Sequence, residues 1–185
     1  MDKEKFILNL ADLAEKYKNN PDKFIEELEK SFPKEEKYAL FFDAGLIVVY
    51  RSYFYLAIAC WNKALEIAIK TGDKSGESKC YTNLGNAYHN LGDFKKAIEY
   101  HEKALEIKKE IGDRAGESKC YGNLGNAYYG LGNFKRAIEY HEKALEIKKE
   151  IGDKSTESAC YTNLGVAYDS LGDFKKAIEY HEKAL

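Results

Sequence analysis

The chain has 185 residues, 44% hydrophobic and 32% charged, with a formal net charge of −2 at pH 7. Such a composition fits a folded globular or repeat protein and excludes a disordered one. The balanced charge leaves no electrostatic footprint for nucleic acid or an anionic membrane.

The N-terminus, "MDKEKFILNL", starts charged and lacks the apolar run of a secretion signal, so the default expectation is the cytoplasm. "DKEKFILNLADLAEKY", "NNP" and "DKFIEELEKSF" predict a helical hairpin over residues 1–31. Asn20 before Pro21 is a helix-start signature, and Asp22 and Glu26 favour the positive end of the helix dipole. The most apolar stretch, "YALFFDAGLIVVY", is short and carries Asp43, which excludes a membrane span. Beyond Pro33 there is no proline, so long uninterrupted helices are expected.

From there the chain repeats itself. "NLGNAY" at 83–88 returns at 123–128, and "NLGVAY" fills 163–168, at a spacing of forty residues. Residues 72–111, 112–151 and 152–185 align without a gap, the last copy being cut short. A degenerate copy over 32–71 precedes them, since Gly45, Phe54, Ala57, Ile58 and Lys63 through Ile67 each lie forty residues before the same residue type. Each unit predicts two antiparallel helices. Gly72 supplies the left-handed residue that ends one helix, and Asp73 or Ser75 caps the next. In the first helix, Cys80, Tyr81, Leu84, Ala87, Tyr88 and Leu91 form one apolar face. Gly92 and Asp93 make the turn, and the second helix buries Phe94, Ala97, Ile98, Ala104, Leu105 and Ile107. Lys95, Glu99 and Lys103 stand on its exposed side, four residues apart. Small Gly85 and Ala97 permit close approach of the two helices, and single hairpins of this size must stack to bury their apolar faces.

Tyr81, Leu84, Gly85 and Tyr88 in the first helix, with Phe94, Ala97 and Ala104 in the second, resemble the tetratricopeptide repeat family. Two departures stand out: Lys109 replaces the family's usual proline, and the unit has forty residues rather than about thirty-four. The longer unit is similar to the repeats of Pins/LGN-type scaffold proteins. The resemblance is strong over 72–185 and weak over 32–71, where "YRSYFY" lacks the Gly-Asp turn. It implies an all-α fold, a right-handed α-solenoid (superhelix) of stacked antiparallel helix hairpins. It also implies that the first helices line a concave groove holding peptides or partner proteins.

Variation among the copies falls on that same side. Within the first helix from Ser78 to Leu91 and its copies, Lys79 and Lys119 become Ala159; Thr82 and Thr162 are Gly122 in the middle copy; and Asn86 and Asn126 become Val166. His89, Tyr129 and Asp169 differ, as do Asn90, Gly130 and Ser170. At about 100° per residue these five positions fall within roughly 100° of one another, away from the apolar face. Over the first twelve residues of the second helix only Lys96 changes, to Arg136 in the middle copy. Drift at exposed positions explains variation, but not its confinement to one face. The candidate partner-binding residues are therefore Lys79, Thr82, Asn86, His89, Asn90, Lys119, Asn126, Tyr129, Val166 and Asp169, bordered by Asn83, Asn123 and Asn163. The bordering asparagines can equally tie neighbouring helices together. The degenerate copy places Phe42, Leu46, Val49 and Tyr50 at corresponding positions, an apolar stretch expected to be covered by residues 1–31 or by a partner helix. Carboxylate-clamp members of the family need lysine where Thr82 and Ala159 stand and arginine where Asn163 stands, so a chaperone-tail ligand is not expected.

Catalytic and metal signals are thin. Cys80, Cys120 and Cys160 sit one per repeat, too far apart for disulfides, and with Cys60 are read as small buried residues and free thiols. His101, His141 and His181 recur at one site, which favours packing over catalysis. The expected function is a non-catalytic interaction module with a protein or peptide partner and with no cofactor, metal, nucleic acid or membrane. The alternative is a self-assembling scaffold, a homo-oligomer associating through the C-terminal end around Tyr168, Ala177 and Leu185, where the final helix is short.

Overall fold

The computed structural model describes residues 3–32 and 36–185; the side chains of 3–6 and 8 lie outside the description. Ten helices cover the described residues: α1 (Lys3–Tyr17), α2 (Pro21–Ser31), α3 (Lys37–Val49), α4 (Phe54–Thr71), α5 (Lys74–Asn90), α6 (Phe94–Glu110), α7 (Arg114–Gly130), α8 (Phe134–Glu150), α9 (Lys154–Leu171) and α10 (Phe174–Lys183). They group into two compact units, 1–91 and 92–185.

In the first unit, α1 packs against α2, with the Asn20 carboxamide accepting from the Lys23 amide and Pro21 opening α2. α1 packs against α3 and α2 against α4. α3 and α4 form the degenerate hairpin around Leu40, Phe41, Ala44, Val48, Leu56, Trp61 and Ala64, all buried, and α5 packs on α4. "YRSYFY" turns without the Gly-Asp pair. Ser52 takes φ 60°, the position at which Gly92 takes φ 77° one repeat later. The forty-residue register thus holds through a turn whose sequence hides it.

The second unit stacks α6 to α10, each packed against the next in the chain. Ala97, Ala104, Leu105, Leu124, Ala127, Ala137, Ile138, Leu145 and Leu164 make its core. Each helix start follows the same chemistry. The Asp93, Asp113, Asn133 and Asp173 side chains accept from the backbone amide three residues on. α9 is the exception. There Thr156 stands in place of Gly116, whose Cβ would lie 2.5 Å from the Asp113 carboxylate. The Asp153 carboxylate keeps the lysine pair that Asp113 also has (Lys148 here, Lys108 there) but turns to the Thr156 and Ser155 hydroxyls and makes no backbone cap. These donors hold its carboxyl well below the usual range, the lysine foremost.

The repeated histidine site is a packing joint. His141 is 2% exposed, and a Cβ added to Gly125 would lie 2.5 Å from its ring. Forty residues before His101, the first of the three histidines, the series begins with Trp61, which packs in the same way on Gly45 and donates its indole N–H to the Phe42 carbonyl at 3.3 Å. A flat ring on a glycine sets the spacing of first and second helices.

Cys60, Cys80 and Cys120 are buried free thiols, as expected, whereas Cys160 is half-buried. The reason is length: α10 has 10 residues where α8 has 17. The missing turns also uncover Ser158, whose copy Ser118 is buried and donates to the Ala144 carbonyl of α8 at 2.9 Å. Burial pushes the Cys80 thiol up to about 11 and raises those of Cys60 and Cys160, so all three are protonated at neutral pH.

Candidate functional site

In the second unit the stripe rides on α7 and α9. Its residues point away from the buried Leu124, Ala127, Leu164 and Ala167, because positions three and seven residues apart share a helix face. Lys119, Asn126, Tyr129, Val166 and Asp169 are all exposed. Tyr129 and Ser170 face each other, hydroxyl to hydroxyl at 2.9 Å, which sets the α7 and α9 stripes side by side. Gly122 faces open space, with nothing within 4 Å of where a Cβ would stand, so the middle of the α7 stripe is a notch. Asn123 and Asn163 border the stripe and are half-buried. Ser170 is the polar contact that residue-by-residue variation pointed to but that composition alone did not single out.

Gly130 belongs to the varying positions but has a packing reason for its identity. The Phe94 ring of α6 lies against it so closely that no side chain fits without movement. That position is exposed, but a side chain there would meet the Phe94 ring.

The first unit carries a different surface. Phe42, Leu46 and Val49 on α3 are half-buried, and the Tyr38 and Phe42 rings stack with centroids 5.6 Å apart. The Tyr38 hydroxyl donates to the Gly76 carbonyl at 3.4 Å, joining α3 to α5. Tyr50 departs from the expected cover: just past the end of α3, it is 90% exposed. On α5, Lys79 and Asn90 are exposed, and Asn83, Asn86 and His89 are half-buried.

Thr82 corrects the sequence reading. It is only 9% exposed, and its hydroxyl donates to the Ser78 carbonyl of its own helix at 2.9 Å. Thr162 does the same to Ser158 at 3.0 Å, and the Asn90 amide nitrogen donates to the Asn86 carbonyl at 2.9 Å. Threonine hydroxyls and short amides on a helix satisfy themselves on the preceding turn. These groups have less to offer a ligand than Asn126 and Asp169.

Among the described residues no three His, Cys, Asp or Glu side chains converge as a metal site. Nor is any helix among them long and apolar enough to cross a membrane.

No curated protein matches the chain in sequence. Among solved structures it is similar to BtubC (BKLC) from P. vanneervenii, at 24% identity and TM-score 0.76 over 96% of this chain and 76% of that one. It is also similar to a Rap protein complexed with competence and sporulation factor, at 20% identity and TM-score 0.74 over 98% of this chain and 49% of that one. A third is a putative kinesin light chain from Podospora anserina with nearly identical TPR-like repeats, at 18% identity and TM-score 0.71 over 100% of this chain and 95% of that one. These are likenesses of fold, and they give the class as an all-α solenoid of helix hairpins. The tetratricopeptide repeat family matches residues 54–110, 85–150 and 120–185, most of the chain and all three near-identical copies. The chain belongs to the tetratricopeptide repeat family.

Proposed function

We propose that this protein is a non-catalytic interaction scaffold that holds an extended peptide or partner segment on the first-helix stripe. The observation that carries the proposal is the coincidence of variation and exposure on α7 and α9. Where Lys119, Asn126 and Tyr129 give way to Ala159, Val166 and Asp169, all six are open to solvent. From Glu117 to Leu131 and from Glu157 to Leu171 the two helices are otherwise constant apart from the Gly122/Thr162 and Gly130/Ser170 positions. The stripe mixes a cation, an amide, a phenol, an aliphatic and a carboxylate, which suits a sequence-specific grip on a peptide whose backbone the amide can satisfy. The Rap relative's complex with competence and sporulation factor is compatible with that use of the fold. Peptides selected from a random library on the 185-residue chain should lose at least about fivefold in affinity, or roughly 1 kcal/mol, with Asn126→Ala, Tyr129→Ala or Asp169→Ala. Lys95→Ala and Lys135→Ala, on exposed second-helix positions, should leave them unchanged. Selected peptides that respond to the lysines and ignore the stripe would overturn the proposal.

A second reading, end-to-end assembly, rests on α10. Its sequence repeats that of α6, yet Ile178 is 59% exposed where Ile138 of α8 is 7% exposed, and Phe174 and Leu185 are exposed as well. An apolar face that internal copies bury is a stacking surface. On this reading light scattering of the 185-residue chain should show concentration-dependent association that Ile178→Lys abolishes; a monomer at high concentration excludes it.

A further inference from the structure

Away from the stripe, the first unit holds a groove of about 630 Å³ between α2 and α4. Its floor is apolar: Ile25 and Ile58 are 9% and 8% exposed, and beside them Tyr55 stands 66% exposed with its ring open to solvent. Its rim is acidic. Asp22, Glu26 and Glu29 lie at i, i+4 and i+7 on α2, so they form one row along the groove, and Glu66 stands on the α4 side. The one cation among the lining residues, Lys63, is paired with Glu66 at 3.0 Å. Glu26 is shared by Lys23 and Lys30 at 3.3 and 2.5 Å. Asp22 and Glu29 are exposed, with no ion pair among the described residues. Asn62, half-buried in the groove, contributes an amide that no hydrogen bond within the described residues uses.

We infer that this groove docks a basic amphipathic peptide segment of a partner protein. Apolar side chains of the segment cover Ile25 and Ile58. Lysines or arginines along its edge meet the Asp22–Glu26–Glu29 row, and one of them stacks on the Tyr55 ring. Asn62 takes a backbone group of the segment. Charge complementarity selects this occupant. An acidic or neutral apolar segment would leave the Asp22 and Glu29 carboxylates unanswered, since the nearby Lys23, Lys30 and Lys63 are already paired with Glu26 and Glu66, and a purely basic segment would leave the apolar floor uncovered. The groove is independent of the stripe, so either can fail without the other.

A fluorescein-labelled twelve-residue leucine–lysine peptide with its leucines on one helical face, and a scrambled peptide of the same composition, test the inference by fluorescence anisotropy on the full chain. The amphipathic peptide should bind saturably and weaken severalfold between about 50 and 200 mM salt. Glu29→Lys with Glu66→Lys should reduce its affinity at least about tenfold, and Tyr55→Ala about fivefold. Glu29→Gln with Glu66→Gln, at exposed positions that leave the helices intact, should give an intermediate loss. Equal binding of the scrambled peptide, equal binding by the charge-reversed variant, or no binding at low salt would each overturn it.

Discussion

At the scale of single residues, two glycines three positions apart on α7 have opposite jobs. A Cβ on Gly125 would collide with the buried His141 ring at 2.5 Å, whereas one on Gly122 meets nothing within 4 Å. Gly125→Ala should therefore destabilise by about 1–3 kcal/mol, since a close-packed joint cannot absorb a methyl group. Gly122→Ala should stabilise by roughly 0.5–1 kcal/mol by removing a flexible residue from a helix interior. Urea denaturation of both variants checks the pair, and the same sign for both would refute the joint. His141 adds a pH dependence. Burial lowers its pKa from 6.5 to about 4. Below pH 6.5 the unfolded chain takes up a proton that the folded chain refuses, so stability falls as pH drops and the loss levels off below about 4. The loss by pH 5 is about 2 kcal/mol. His141→Phe, which keeps a flat ring as Trp61 does, should flatten the difference in stability between pH 7 and pH 5; an unchanged slope would mean that His141 ionises in place. The repetition of histidine at one site was enough to read it as packing. That Trp61 is the same joint was not legible, because indole and imidazole share a shape against glycine but no chemical class.

Among the elements, hairpin register was legible wherever Gly-Asp marks the turn and obscure where it does not. At "YRSYFY" the chain substitutes a strained serine, φ 60°, for a glycine. L-residues other than glycine resist the left-handed region by about 1–2 kcal/mol. Ser52→Gly should recover roughly 1 kcal/mol of that, read as a shift in the urea midpoint without a change in m-value, and a loss of stability would contradict the turn as described. The N-terminal hairpin was legible from Asn20 and Pro21, local signals that need no tertiary partner. The α9 cap was not. Asp153 has the same sequence role as Asp113, and only the Thr156 side chain beside it diverts the carboxylate from the backbone. The first-turn amides of α9 should accordingly exchange with solvent faster than those of α7, and equal protection would show that the cap survives.

Across the whole molecule, periodicity reveals architecture more readily than surface use. The forty-residue repeat makes each unit's buried face recur, so fold class and helix pairing follow from a single copy. Which varying positions are free for a ligand depends instead on neighbours from other helices. At Gly130 a side chain would meet Phe94, and Thr82 is satisfied by its own backbone, while Lys119, Asn126, Tyr129, Val166 and Asp169 remain open. The most direct test of interaction through the stripe transplants it. Replacing Lys119, Gly122, Asn126 and Tyr129 on α7 with the residues of α9 (Lys119→Ala, Gly122→Thr, Asn126→Val and Tyr129→Asp) changes only the exposed face. If the stripe reads a partner, library selection on this variant should enrich a different peptide consensus from that of the parent chain, with helicity unchanged. The same consensus from both proteins would contradict it.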